Sequence, residues 1–215
     1  MMIRFPGVYS PQCDTRLISD AVRAEKLDAS SQVLDLCSGS GALSVCAAKA
    51  GAGTVFAVDI SRRAAVCTWM NGRLRGHRIH ARHGDLLTPF HGRRFDLVVS
   101  NPPYVPSVDD RAPRTGRARS WDGGNDGRLL LDRICATAPG VLQKEGTILL
   151  IQSALSGIDR TVELFADNEL DASVVSRTSI PFGPVLLSRR RYLESIGVID
   201  PDQVTEEIVV IRARR

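Results

Sequence analysis

Phe95-Asp96-Leu97-Val98-Val99-Ser100-Asn101-Pro102-Pro103-Tyr104 decides how the rest of the chain reads. A short apolar, β-rich run stops at two prolines, neither of which can donate to a sheet ladder, so it is a buried strand with an abrupt end. The stop leaves the Asn101 amide, the Pro102 carbonyl and the Tyr104 ring at the strand's carboxyl end. In an open α/β sheet that end is where ligands bind. An amide oxygen beside a backbone carbonyl is a pair of acceptors, the complement of a planar NH2 group. The phenol ring adds a stacking face for the plane that carries it. Taken alone, Asn-Pro-Pro reads more simply as a proline-rich turn with a capping Asn. Its weight comes from what lies upstream.

There, a strand over 32–37 holds Asp35 and Cys37 and runs into Ser38-Gly39-Ser40-Gly41, followed by an apolar helix over 42–50. Glycines at a strand-to-helix turn let backbone approach a ligand closely. The position that would carry the third glycine of a dinucleotide fingerprint is Ser44, and no Gly-Lys-Ser/Thr follows, which argues against NAD, FAD and a P-loop. A second strand, 54–59, closes with Asp59 next to Ile60, where a carboxylate accepts ribose hydroxyls. A short third strand, 79–82, leads to Gly84-Asp85-Leu86, and the Asp85 carboxylate suits an exocyclic amine such as that of adenine. Singly, each acid is also an ordinary strand-end turn residue. In this order with Gly39 and Gly41 they describe a ligand with adenine and ribose but no pyrophosphate. S-adenosylmethionine is such a ligand.

Outward from these motifs, residues 1–13 carry Pro6, Gly7 and Pro11 without a period and read as an extended arm. Asp14-Thr15 supplies N-cap chemistry for a helix over 14–26, with Leu17, Ile18, Ala21 and Val22 on one face. Helices are predicted over 61–75, 127–138 and 158–168, and strands over 146–151, 172–180 and 207–213. Pro181, Gly183 and Pro184 break the chain before a short helix at 188–195. The alternation predicts an α/β fold: a doubly wound, mostly parallel seven-stranded sheet with an antiparallel edge strand. At 215 residues and 43% apolar content the chain suits one core. The expected layout is one domain, with an arm and helix (1–31), a cofactor and catalytic core (32–152), and C-terminal strands with a substrate-side loop (153–215).

No apolar run reaches the roughly 18 residues of a membrane span, and no signal-peptide pattern opens the chain. Cys13, Cys37, Cys46, Cys67 and Cys135 are scattered and odd in number, expected as small buried apolar residues in a reducing cytoplasm. No metal site is expected. His77, His80 and His83 run from a loop into a short strand, where that spacing puts neighbours on opposite faces. Net charge is +4 and uneven: Arg111, Arg114, Arg117 and Arg119 share the acid-free stretch 111–119. That stretch is either a surface for an RNA-bearing or acidic partner or a solvated loop.

With these motifs the sequence resembles the class I S-adenosylmethionine-dependent methyltransferases, and within them the HemK/PrmC family of protein glutamine N5-methyltransferases. The residues that carry the resemblance are the glycine turn, Asp59, Gly84-Asp85, Asn101-Pro102-Pro103-Tyr104, and Trp121-x-Gly123-Gly124-x-x-Gly127. Val8-Tyr9-x-Pro11-x-x-Asp14-Thr15 is similar to the opening motif of the family's short eukaryotic and archaeal branch, which covers the cofactor's methionine end. The expected sheet is then the Rossmann-like methyltransferase sheet. The resemblance spans roughly residues 8–152 and implies cofactor-binding roles for Tyr9, Pro11, Thr15, Asp35, Cys37, Gly39, Gly41, Asp59, Ile60, Asp85, Leu86 and Asn101. It implies catalytic roles for Asn101, Pro102 and Tyr104. Longer bacterial members carry an N-terminal helical domain that recognises the release factor; the segment before Asp35 is too short for it, so that domain is expected to be absent. Eukaryotic relatives rely on a small zinc-binding activator subunit.

The resemblance implies in-line transfer of the sulfonium methyl to a planar amide nitrogen, most simply a glutamine of a release factor's Gly-Gly-Gln motif, leaving S-adenosylhomocysteine. The alternatives are a nucleic-acid N-methyltransferase acting on adenine N6 or guanine N2, a non-catalytic S-adenosylmethionine-binding subunit, and a small-molecule methyltransferase. No separate target-recognition domain for base flipping is legible, which favours a protein substrate.

Overall fold

The computed structural model describes residues 2–111, 113 and 116–215. The strands are β1 (Gln32–Leu36), β2 (Thr54–Asp59), β3 (Ile79–His83), β4 (Phe95–Ser100), β5 (Leu142–Ser153), β6 (Asp171–Pro181) and β7 (Thr205–Arg214). The helices are α1 (Cys13–Ala24), α2 (Ala42–Lys49), α3 (Arg62–Arg73), α4 (Leu129–Thr137), α5 (Ile158–Ala166) and α6 (Pro184–Ser195).

All seven strands form one sheet in the order β3-β2-β1-β4-β5-β7-β6. From β3 to β5 every pairing is parallel, and β7 runs antiparallel to both of its neighbours. The chain winds outward from β1 to β3, then returns to place β4 on the other side of β1. A crevice opens at that reversal, outside the carboxyl ends of the two strands. The register there is Leu36 opposite Ser100, so the glycine turn and the Asn-Pro-Pro stop leave the sheet side by side.

Successive side chains of a strand face opposite sides, and here both sides are covered. Leu34, Leu36, Phe56, Val98, Ile148 and Leu150 pack under α4 and α5 with Leu131, Ile134 and Phe165. Val33, Val55, Leu97, Val99 and Leu149 pack under α1 and α2 with Ile18, Val22 and Leu43. The arm lies on α3: Val8 packs against Ala64 and Cys67, and the Ile3 N–H donates to Asn71 Oδ1 at 2.8 Å.

Several local expectations are revised. Gln12, with extended backbone, is the N-cap of α1; Asp14 lies inside the first turn, and its carboxylate is used in tertiary contacts instead. β5 is twice as long as the run 146–151, because residues 142–145 extend it at the rim with a register shift against β4 and Gln152 and Ser153 extend its other end. α6 starts at Pro184, a residue that suits the first helical position, since its missing N–H would be unpaired there anyway. Cys13 is exposed, whereas Cys46, Cys67 and Cys135 are buried. Among the described residues no helix is long and apolar enough to cross a membrane.

Candidate active site

The crevice is a cavity of about 1030 Å³ lined by the ends of β1, β2 and β4, the arm, and the segments after β3 and β4. Tyr9, Pro11, Thr15, Asp35, Cys37, Gly39, Asp59, Ile60, Asp85, Leu86, Asn101, Pro102 and Tyr104 all line it. Gly41 does not. Its φ of +79° and a space in which a Cβ would meet the Thr68 Cα at 2.8 Å make it a packing glycine between α2 and α3.

One half of the cavity is set by the turn after β1. Cys37 and Gly39 have left-handed backbone, φ 58° and 54°. Gly39 thereby points its N–H at Asp59 Oδ2, at 2.9 Å, while Asp59 Oδ1 accepts from the Ser61 N–H at 2.8 Å. Each Asp59 oxygen keeps a lone pair for a further donor. Burial raises the Asp59 carboxyl above its usual range, against the pull of these two N–H groups. Asp35 is fully buried; its Oδ2 accepts from the Ser44 N–H and hydroxyl, and burial pushes its carboxyl up to about 7. Asp35 Oδ1 has no hydrogen-bond partner among the described residues. That orphaned acceptor suits an ammonium group, as Asp59 suits ribose hydroxyls and the largely buried Leu86 suits an adenine face. The residues therefore fit S-adenosylmethionine. Asp85 is half-exposed, and its Oδ2 is held by Arg133 at 2.7 Å, leaving Oδ1 for an amine. Burial of the Cys37 thiol pushes its pKa up, so it stays protonated.

The other half is centred on Asp14, which the sequence marks as a helix-cap type within the opening motif, without a role of its own. Asp14 is buried, and its Oδ2 accepts from Asn101 Nδ2 at 2.9 Å, Tyr9 Oη at 2.8 Å and Tyr104 Oη at 3.4 Å. Its Oδ1 accepts from the Thr15 N–H at 2.6 Å. Only the NH2 end of an amide can donate to a carboxylate, so Asp14 selects the orientation of Asn101 and leaves Oδ1 for an incoming donor. Burial, then the Asp14 charge, raises both tyrosine pKa values, so both remain donors to that carboxylate. Glu206, at the start of β7, brings a second buried carboxyl near Asp14, and burial raises it too. The Tyr104 carbonyl accepts from Ser156 Oγ at 2.7 Å, and a Cβ on Gly127 would come within 2.4 Å of it. Gly127 of the downstream glycine segment is thus needed where the backbone of Tyr104 passes. The signal that could have found Asp14 was its place in the Tyr9-x-Pro11-x-x-Asp14-Thr15 run.

Of the arginines in 111–119, Arg117 and Arg119 line the cavity mouth, and Arg119 donates to the Ile60 carbonyl at 3.3 Å. Arg111 is exposed, and Arg114 lies outside the described residues. His80 stacks on Phe56, with ring centroids 5.1 Å apart, and among the described residues no three His, Cys, Asp or Glu side chains converge as a metal group.

A sheet wound in this order, with a glycine turn and a β2 acid at its crevice, defines an S-adenosylmethionine-dependent methyltransferase. The chain belongs to the methyltransferase small domain family, whose model matches residues 2–114, and within it to the relatives of the protein glutamine N5-methyltransferases. It is 31% identical over 183 residues to a candidate protein N5-glutamine methyltransferase of Methanocaldococcus jannaschii, covering 85% of this chain and 90% of that one. It is 33% identical over 148 residues to the release factor glutamine methyltransferase of Bacillus cereus, covering 64% of this chain and 52% of that protein, so it spans about half the length of that longer relative. Among solved structures, the Mtq2–Trm112 complex of E. cuniculi, responsible for methylation of the termination factor eRF1, shares the fold. Its TM-score is 0.68 at 22% identity, covering 97% of this chain and 99% of that one.

Proposed function

We propose that this chain methylates the side-chain amide nitrogen of a glutamine in a peptide chain release factor. The observation that carries the reading is the hydrogen bond from Asn101 Nδ2 to Asp14 Oδ2, because it turns the Asn101 oxygen toward an incoming NH2. That oxygen and the Pro102 carbonyl take the two N–H bonds of the substrate amide. So held, the nitrogen is displaced from conjugation with its own carbonyl and presents a lone pair. Tyr104 packs on the amide plane, fixed from below by Asp14 and through its backbone by Ser156. The cofactor would supply an electrophilic methyl group on a positively charged sulfur, which would leave as the neutral thioether S-adenosylhomocysteine while the methylated amide gives up one N–H proton to water. The chain's contribution is orientation and electrostatics, with the Asp14 carboxylate adding negative potential beneath the site.

A small activator subunit, as the family resemblance implies, is part of the proposal, and Mtq2 itself forms a complex with a second protein, Trm112. β3 is an edge strand, and beside it Trp69 and Val66 of α3 lie exposed over a hollow of about 380 Å³ with Ala65 and Ala81. An unpaired edge next to exposed aromatic surface is a natural seat for another chain.

The test is labelled methyl transfer to a release factor, to its Gly-Gly-Gln peptide, and to duplex and single-stranded nucleic acid in parallel, with and without the activator. Mass spectrometry of the product is expected to place one methyl group on the glutamine. Label in nucleic acid alone would replace this reading with the base N-methyltransferase, for which Arg117 and Arg119 at the cavity mouth would be the contact.

A further inference from the structure

The long connection between β6 and β7 carries α6, and no residue of that helix lines the cavity. Yet α6 grips the two segments that wall the substrate side. Arg189 donates through Nη1 to the Pro106 carbonyl at 2.9 Å and through Nη2 to the Asp122 carboxylate. Tyr192 Oη donates to the Ser107 carbonyl at 3.0 Å. Pro106 and Ser107 belong to the run that leaves Tyr104, and Asp122 follows Trp121 in the glycine segment. The two runs also pair with each other. Val105 N–H donates to the Trp121 carbonyl at 2.8 Å, and Gly123 N–H to the Val105 carbonyl at 2.9 Å. Val105, Trp121 and Asp122 line the cavity beside Tyr104. Phe182, Leu186, Leu193 and Ile199 seat α6 on Val105 and Leu155 in an apolar cluster of its own. The Arg189 and Asp122 side chains are only 20% and 10% exposed, so either charge left without the other would be poorly hydrated.

We propose that Arg189 is a positioning residue for the transfer reaction. It ties the wall that carries Tyr104 to the wall that carries Trp121, and so sets the opening through which the acceptor side chain enters. The proposal rests on the amide-methyltransferase reading above, and Arg189 acts only through Pro106 and Asp122. The planar fork of arginine reaches both acceptors at once, whereas lysine reaches one at a time. Asp59 and the glycine turn are held by their own hydrogen bonds across the cavity, so cofactor affinity does not depend on the tie.

The test compares the full chain with Arg189→Met and Arg189→Lys by kinetics on the release factor, calorimetry with S-adenosylmethionine, and amide hydrogen exchange. Arg189→Met is expected to lower kcat/KM for the protein substrate by about 10- to 100-fold, as small misplacements of reacting groups do. The cofactor Kd should stay within about twofold, because no cofactor contact changes. The Val105, Ser107 and Gly123 amides should exchange about tenfold faster or more, with β1 and β2 unchanged. Arg189→Lys should fall between the two. The proposal is overturned if cofactor affinity drops in step with activity, if kcat/KM is unchanged, or if those three amides exchange as in the parent. Should the parent chain methylate no release factor, the functional reading fails, and the exchange arm still decides the tie. If Arg189→Met cannot be purified, Arg189→Lys, which keeps the charge, takes its place in the same three measurements: a smaller loss of kcat/KM with faster exchange of those amides supports the tie, and parent-like kcat/KM or exchange overturns it.

Discussion

On the β2 side of the cavity the governing hydrogen bond, Gly39 N–H to Asp59, spans 20 residues of chain; on the β4 side, Asn101 to Asp14 spans 87. The first side is built from backbone geometry within consecutive strand–turn–helix units. The second is assembled from the start of α1, the end of β4, the turn after β5 and α6. Short-range construction makes a site that recurs with many chemistries. Long-range construction makes one whose geometry depends on several distant elements packing together. Variants on the two sides should therefore separate cleanly: those at Asn101 and Asp14 lose turnover, and those at Asp59 and Asp35 lose cofactor.

The largest effect is expected at Asn101. Asn101→Ala removes one of two acceptors for the substrate NH2 and should lower kcat by about 10²- to 10³-fold with cofactor affinity near that of the parent. Steady-state kinetics with calorimetry checks it, and parallel loss of binding would move Asn101 to the cofactor side of the comparison.

Asp14→Asn comes next. The carboxylate that dictates the Asn101 orientation is replaced by a group able to donate or accept, so productive and flipped amides coexist. Turnover should fall by about 10- to 100-fold, again without a matching loss of cofactor binding. Unchanged kcat would show that the orientation is set elsewhere.

Across the cavity, Asp59→Ala should weaken cofactor binding by about tenfold or more, since hydrogen bonds to a charged group contribute roughly 1.5–3 kcal/mol. Saturating cofactor should restore kcat. Calorimetry showing unchanged affinity would remove Asp59 from the ribose site.

The smallest effect is a pH dependence at Asp35. Its carboxyl titrates at about 7 in the folded chain, against an ordinary value of 3.8, because burial disfavours the anion. Between those values the folded state holds a proton the unfolded state has released, so unfolding free energy falls as pH rises through the window and is level above it. If the Asp35 anion is what meets the cofactor's ammonium, cofactor affinity rises with pH through the window, by less than about tenfold in all. Calorimetry and thermal melts through that range check both slopes, and Asp35→Asn should flatten them. Flat affinity in the parent would separate Asp35 from the ammonium.

The same division governs what was legible. The β1 turn, Asp59 and the Asn-Pro-Pro stop could be read directly, because glycine, a strand-closing acid and proline each have a local steric or hydrogen-bonding reason to stand where they do. The doubly wound sheet followed from the alternation of strands and helices. Asp14 was legible as a helix-capping type and as a member of the Tyr9-x-Pro11-x-x-Asp14-Thr15 motif, but nothing near it in sequence tells that Asn101 and Tyr104 converge on its carboxylate with Tyr9. Gly41 was read from its neighbours as a residue for ligand approach, and the close pass of Thr68 from α3 adds a packing requirement that the sequence does not show. The first turn of α6 was hidden because proline reads as a breaker in either direction along the chain, and only the backbone shows which side it terminates.

From its sequence alone this protein reads as a doubly wound α/β chain with a glycine turn after its first strand and a strand that stops at Asn101-Pro102-Pro103. Tertiary structure decided which way the Asn101 amide faces, which glycine serves packing, and how α6 braces the substrate side. The physical reason is range. Dihedral preferences and strand periodicity act between near neighbours in sequence, whereas a buried carboxylate takes its partners from whatever the fold brings within about 3 Å of it.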